Sequence, residues 1–149
     1  MSKRMCKKLG TWFECSAKFV NCDDGTTKKK KVCVEADSFA TAEYKAIGFI
    51  NGLYDAVKDL RITAISIASY TEVYFREKCE NWFKASMKAL DGEKDVVLLS
   101  AEDIVDAHST LDDEIIGPAQ HWFLTKIEQT NIVGVATDEE INYDDAPTE

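Results

Sequence analysis

Apolar and polar residues alternate along 11–20. Phe13, Cys15, Ala17 and Phe19 fall on one side, and Trp12, Glu14, Ser16 and Lys18 on the other. That period of two predicts a strand with one buried face. A second strand is predicted over 29–36, and the connection Asn21-Cys22-Asp23-Asp24-Gly25-Thr26-Thr27 holds the Asp-Gly signal of a tight reversal, so the pair reads as a hairpin. The period then changes. Phe39, Ala42, Ala46, Phe49, Ile50, Leu53 and Val57 recur at spacings of three and four behind a capping Asp37 or Ser38, predicting a helix with one buried stripe. Gly48 and Gly52 interrupt it, weakening the helix or letting it pack closely on a neighbour. A long strand is predicted at about 61–75. A second hairpin, 82–90 and 95–100, turns at Asp91-Gly92. Asp103 caps a shorter helix carrying Ile104, Ala107, Leu111 and Ile115, which Gly117-Pro118 ends, and a last strand is predicted over roughly 121–135.

The two hairpins resemble each other in sequence. Trp12-Phe13-Glu14-Cys15-Ser16-Ala17-Lys18 returns seventy positions later as Trp82-Phe83-Lys84-Ala85-Ser86-Met87-Lys88, with Trp, Phe, Ser and Lys in the same places. The strand-to-helix junctions Val34 to Phe39 and Leu99 to Ile104 also correspond, now at an offset of 65. The expected fold is therefore α+β, built from two pseudo-repeated ββαβ units with antiparallel sheets and the helices packed on one side. A basic N-terminal arm at 1–10 precedes units at 11–80 and 81–136, and an acidic, aperiodic, flexible tail at 137–149 follows them.

Composition narrows the function classes. No apolar run approaches the roughly 20 residues of a membrane helix, and the basic start Met1-Ser2-Lys3-Arg4 leads into a strand pattern, so a cytoplasmic protein without membrane partners is expected. The five cysteines contain no Cys-x-x-Cys pair and read as free thiols in a reducing compartment. The net charge of −9 is uneven: residues 1–31 hold nine bases against three acids, a net +6, whereas 137–149 hold six acids and no base. Opposite charge at the two ends allows both to compete for one surface.

Catalytic patterns are missing from the sequence: there is no phosphate-cradling glycine loop, no Gly-x-Ser-x-Gly and no His-Glu-x-x-His, and only His108 and His121 are available for proton transfer. Asp106, Asp112, Asp113 and Glu114 read as the solvated face of a helix in preference to a divalent-ion site. No enzyme activity, cofactor or metal is expected. Binding has more candidates. Trp12-Phe13, Trp82-Phe83 and Trp122-Phe123 each open a strand, where neighbours point to opposite faces, so one ring of each pair is expected in the core and the other on the outer face. Trp12, Trp82 and Trp122 are the expected base-stacking rings. Lys18, Lys84, Lys88 and Lys126 on the same strands, with Lys28, Lys29, Lys30 and Lys31 at the hairpin, are the expected phosphate contacts.

Asp138 to Glu149 resembles the acidic C-terminal segment of bacterial and phage single-stranded-DNA-binding proteins, although it lacks a terminal Phe. That resemblance implies a segment that occupies the DNA groove when it is empty and recruits replication or host proteins. The Trp12 to Cys15 strand, the Lys28 to Val34 strand, the Ala36-Asp37-Ser38-Phe39 junction and Ala42-Glu43 resemble a small, poorly characterised domain family of phages and mobile elements of gut bacteria. The Whirly proteins, which bind single strands across duplicated sheets, offer an analogy of architecture. The expected function is non-catalytic binding of single-stranded DNA in phage replication or recombination, with RNA as ligand and a homodimer both left open. The alternative is a protein-interaction module: a host-factor binder, DNA mimic or virion component.

Overall fold

The structure, a computed structural model, describes residues 4–117, 121–138, 141 and 143. Among the described residues nine strands and two α-helices follow in the order β1 (Met5–Leu9), β2 (Trp12–Asn21), β3 (Thr26–Glu35), α1 (Phe39–Leu53), β4 (Val57–Ile67), β5 (Glu72–Arg76), β6 (Asn81–Ala89), β7 (Lys94–Ala101), α2 (Ile104–Thr110), β8 (Trp122–Gln129) and β9 (Ile132–Ala136). The fold is α+β with two sheets. The described residues gather into two compact units, one of 10–68 and 131–138, the other of 4–9, 69–130, 141 and 143.

The first unit is a four-stranded sheet in the order β4-β2-β3-β9. The β2–β3 hairpin forms where the alternation and the Asp24-Gly25 signal place it: Gly25 takes φ 71°, and Asp24 accepts from the Thr26 amide at 2.9 Å. Ser38 caps α1 by accepting from the Thr41 amide at 3.1 Å. The helix then lays Ala42, Ala46 and Ile50 on Phe13, Cys15, Ala17 and Phe19 of β2 and on Val32 and Val34 of β3. This apolar layer is the unit's core and leaves the other sheet face for different work. Burial pushes the Cys15 thiol up to about 11, with the Glu43 charge adding to the effect, so it behaves as a small apolar residue.

The second unit is a five-stranded sheet in the order β1-β5-β7-β6-β8. Asp103 caps α2, accepting from the Asp106 amide at 2.8 Å. The helix runs on into a wider π-type turn, Leu111–Ile116, and Ala107 and Leu111 pack on Phe83, Ala85, Val97 and Leu99.

Four expectations need correction. The strand predicted over 61–75 is two strands, because the chain leaves the first sheet after Ile67 and enters the second at Glu72. Likewise 121–135 divides at Thr130-Asn131 into β8, antiparallel to β6, and β9, parallel to β3. The sheets are mixed instead of purely antiparallel: β5 pairs parallel with β7, and β9 with β3. Parallel neighbours need a long connection: along the sequence β6 lies between β5 and β7, and the chain from α1 to β8 lies between β3 and β9. Lastly, 5–9 is no free arm but the edge strand β1, paired with β5 and preceded by Arg4, which grips Glu77 at 2.9 Å.

Gly134 on β9 shows how closely the first unit is packed. A methyl group built there would fall on the Phe49 ring of α1, 2.6 Å from Cε2, whereas Gly48 and Gly52 have open space around the same position and do not pack a neighbour closely. Gly134→Ala should cost about 1–3 kcal/mol by overpacking, while Gly48→Ala should add about 0.5–1 kcal/mol by raising helix propensity. Urea unfolding of the two variants measures both; equal effects at the two positions would contradict the Phe49 contact.

Candidate functional site

The face of the four-stranded sheet turned away from α1 is where charge collects. Strand alternation puts Phe13, Cys15, Ala17 and Phe19 under the helix, so Ser16 and Lys18 emerge on the opposite side. The pairing register then places Lys29 of β3 and Arg61 of β4 directly across from Lys18. Three cations thus form one row over three adjacent strands, with Lys31 beside Ser16 one step along β2. Register shifts lie on both sides of Lys18, between Ser16 and Ala17 and between Lys18 and Val20. Such bulges bend the strand and re-aim side chains. Thr63 steadies the first by donating from Oγ1 to the Ser16 carbonyl at 3.3 Å. Asp59, with φ 57°, lies across from the second.

The row borders a shallow concavity of about 480 Å³ that also takes in Lys31, Lys30, Thr63 and Asn131. Among the described residues Lys18, Lys29, Lys30 and Arg61 make no ion pair. Lys28 instead pairs with Asp24 at 3.5 Å, and Lys31 stands 3.8 Å from Glu14. Like charges directly opposite one another across strands repel. The row is therefore a place where an anion of several charges is welcome, and its hydroxyl and amide neighbours can donate hydrogen bonds to the same oxygens.

The structure distributes the expected site residues unevenly. Lys18, Lys29 and Lys31 come together on the face away from α1, and Lys30 also lines the concavity although its strand position, like that of Lys28, is in phase with Val32 and Val34. Trp12 is fully buried, its neighbour Phe13 is buried too, and Trp82 is buried edge-on against Phe75 at 5.4 Å. Neither tryptophan offers a face to a base, which corrects the stacking expectation for both, because each strand is covered on both faces where it begins. Trp122 packs against the core of the five-stranded unit, and Phe123 is the exposed member of that pair. Lys84 lies 5.6 Å from the centre of the Tyr70 ring, Lys126 pairs with Glu128 at 3.2 Å, and Lys88 is exposed.

Arg61 is the residue sequence reading missed. Its alternation was visible, but a helix separates β4 from β2, so no turn fixed their register. Asp106 accepts from Arg76 at 2.7 Å, and Asp112 pairs with His108 at 3.2 Å. Among the described residues no group of three or more His, Cys, Asp or Glu side chains is placed to hold a metal. At the root of the acidic segment, Lys45 donates to Asp138 and to the Glu35 carbonyl, both at 2.7 Å, and Thr137 donates to Glu35 at 2.6 Å. Apart from Ile141 and Tyr143, the rest of the expected tail lies outside the described residues, as do residues 1–3 of the expected arm. No described helix is long and apolar enough to cross a membrane.

No curated protein and no solved structure matches the chain. Residues 11–138 match the model of a family described as Domain of unknown function (DUF4494). Since that match spans most of the sequence, the chain belongs to the DUF4494 family.

Proposed function

We propose that this protein is a non-catalytic binder of single-stranded nucleic acid, with the outer face of the four-stranded sheet holding the phosphates. The Lys29–Lys18–Arg61 row carries the reading: three adjacent cations on an open sheet face, none of them in an ion pair among the described residues. Sheet faces with such grooves track a strand's backbone. The helix of the unit packs on the other face and is not presented beside these cations, as a reader of the duplex major groove would be. The acidic segment beyond Asp138 is the competitor for this face, rooted by the Lys45 ion pair.

We also read the two units as copies of one ββαβ plan that exchange their last strands. In support, β2-β3-α1-β4 and β6-β7-α2-β8 share a pairing order, with the first strand of each flanked by the other two. Gly25 and Gly92 turn the two hairpins with positive φ, and Thr125 donates to the Ser86 carbonyl as Thr63 does to that of Ser16.

Fluorescence anisotropy of a labelled oligothymidylate, followed over a range of salt concentrations, tests the binding reading. About three neutralised phosphates predict a slope of about −2 in log affinity against log salt. An absence of saturable binding at low salt, or affinity indifferent to salt, would sink it.

A further inference from the structure

The five-stranded unit carries a different device at the corresponding place. On β6 the residue Lys88 is paired across to Lys94 of β7 on one side and to Phe123 of β8 on the other. Alternation puts these three on the sheet face away from α2, since Met87, Leu124 and Trp122 pack toward the core beneath the helix. Phe123 is 47% exposed, and both lysines are exposed. Among the described residues the ring makes no aromatic or cation contact, and neither lysine makes an ion pair. A Phe ring thus stands open to solvent with two unneutralised cations on the neighbouring strands of one row. A lone exposed apolar side chain is ordinary on a protein surface. This one differs in its setting, where charge complementarity selects an anion that also has a flat apolar face.

From that juxtaposition we propose that Phe123 is a base-stacking platform for single-stranded nucleic acid, with Lys88 and Lys94 holding the phosphates that flank the stacked base. The proposal rests on the nucleic-acid reading above and adds the chemistry that the basic row lacks. The Lys29–Lys18–Arg61 row has no aromatic among its cross-strand partners and grips phosphate without regard to bases. In the five-stranded unit, Phe123 occupies the register position opposite Lys88 that Arg61 occupies opposite Lys18. The ring stacks on any base, so it confers a requirement for an unpaired base without a requirement for sequence.

The test compares the affinity of the full chain for an oligothymidylate and for an abasic deoxyribose-phosphate oligomer of the same length and charge. The expected result is a preference of about tenfold for the base-bearing strand, abolished in Phe123→Ala, kept in Phe123→Trp, and accompanied in both variants by unchanged affinity for the abasic strand. A preference that survives Phe123→Ala overturns the stacking role and leaves the phosphate-binding reading standing, as does equal binding of both oligomers by the unaltered chain. Failure to bind either oligomer removes both. If Phe123→Ala instead turns a dimer into a monomer and leaves the preference unmoved, the ring belongs to an interface between copies and the proposal fails.

Discussion

Replacing Lys18, Lys29 and Arg61 together by Glu is expected to lower affinity for oligothymidylate by at least about a hundredfold at low salt and to flatten the salt slope by about 2. The magnitude follows from the row's geometry. Each of the three side chains stands on a different strand at matched register, so a polyanion laid across the face meets all of them. Reversal removes three attractions and adds three repulsions. The folded state should barely notice: three like charges at paired positions are exchanged for three others, and surface changes of this kind stay within about 0.5 kcal/mol. Unfolding by urea beside the anisotropy titration separates loss of binding from loss of fold. Lys28→Glu is the control, since Lys28 already pairs with Asp24 and alternates toward the helix side. It should change affinity only about twofold. Were Lys28→Glu as damaging as the triple change, binding would follow the diffuse charge of the hairpin, and the row would lose its special role.

The contrast between Lys28 and Lys29 also marks how far the sequence could be read. The hairpins, their Asp-Gly turns, the Ala42, Ala46 and Ile50 part of the α1 stripe and the Asp103 cap were legible, because each depends on residues close in the chain. Phe39 and Leu53 of the expected stripe are instead exposed, Val57 opens β4, and the choice of Ser38 over Asp37 as cap came only with the structure. The break after Ile67 was not legible, since Ala68-Ser69-Tyr70-Thr71 holds neither Gly nor Pro and joins two runs that both read as strand. Parallel pairing of β9 with β3 joins segments about a hundred residues apart, which no local pattern encodes. The site was legible in part for the same reason. The Lys28–Lys31 run was conspicuous, yet its division into two inward and two outward side chains needed the phase set by Val32 and Val34, and Arg61 needed a register fixed only in three dimensions. The Trp-Phe pairs show a further limit. One-face alternation assumes the second face is wet, and β2 is covered on both faces at Trp12 but open on one by Lys18. Nothing in Trp12-Phe13 distinguishes that case from Trp122-Phe123, where one ring is exposed.

Those buried tryptophans carry the second large effect. Trp12→Ala and Trp82→Ala are each expected to lower stability by about 3–5 kcal/mol, the usual result of emptying a large aromatic site. Trp12 has no exposed surface and Trp82 only 6%. Both positions are also fixed by the backbone: the Trp12 carbonyl accepts from the Ala68 amide at 2.8 Å, and the Trp82 carbonyl accepts from both the amide and the hydroxyl of Thr130 at 2.9 Å. Ala68 and Thr130 are the residues at which the chain passes from one unit to the other, so each Trp marks the end of a sheet edge where the strand path changes. A cavity there loosens the anchor of β4 or β8 and the cross-over that follows it. The measurement is urea unfolding, with oligothymidylate affinity determined on whatever fraction remains folded. Stability should fall steeply while the affinity of the folded fraction holds. The reverse pattern, affinity lost at unchanged stability, would mean that the indole rings reach solvent and stack bases, and it would overturn the assignment of that task to Phe123.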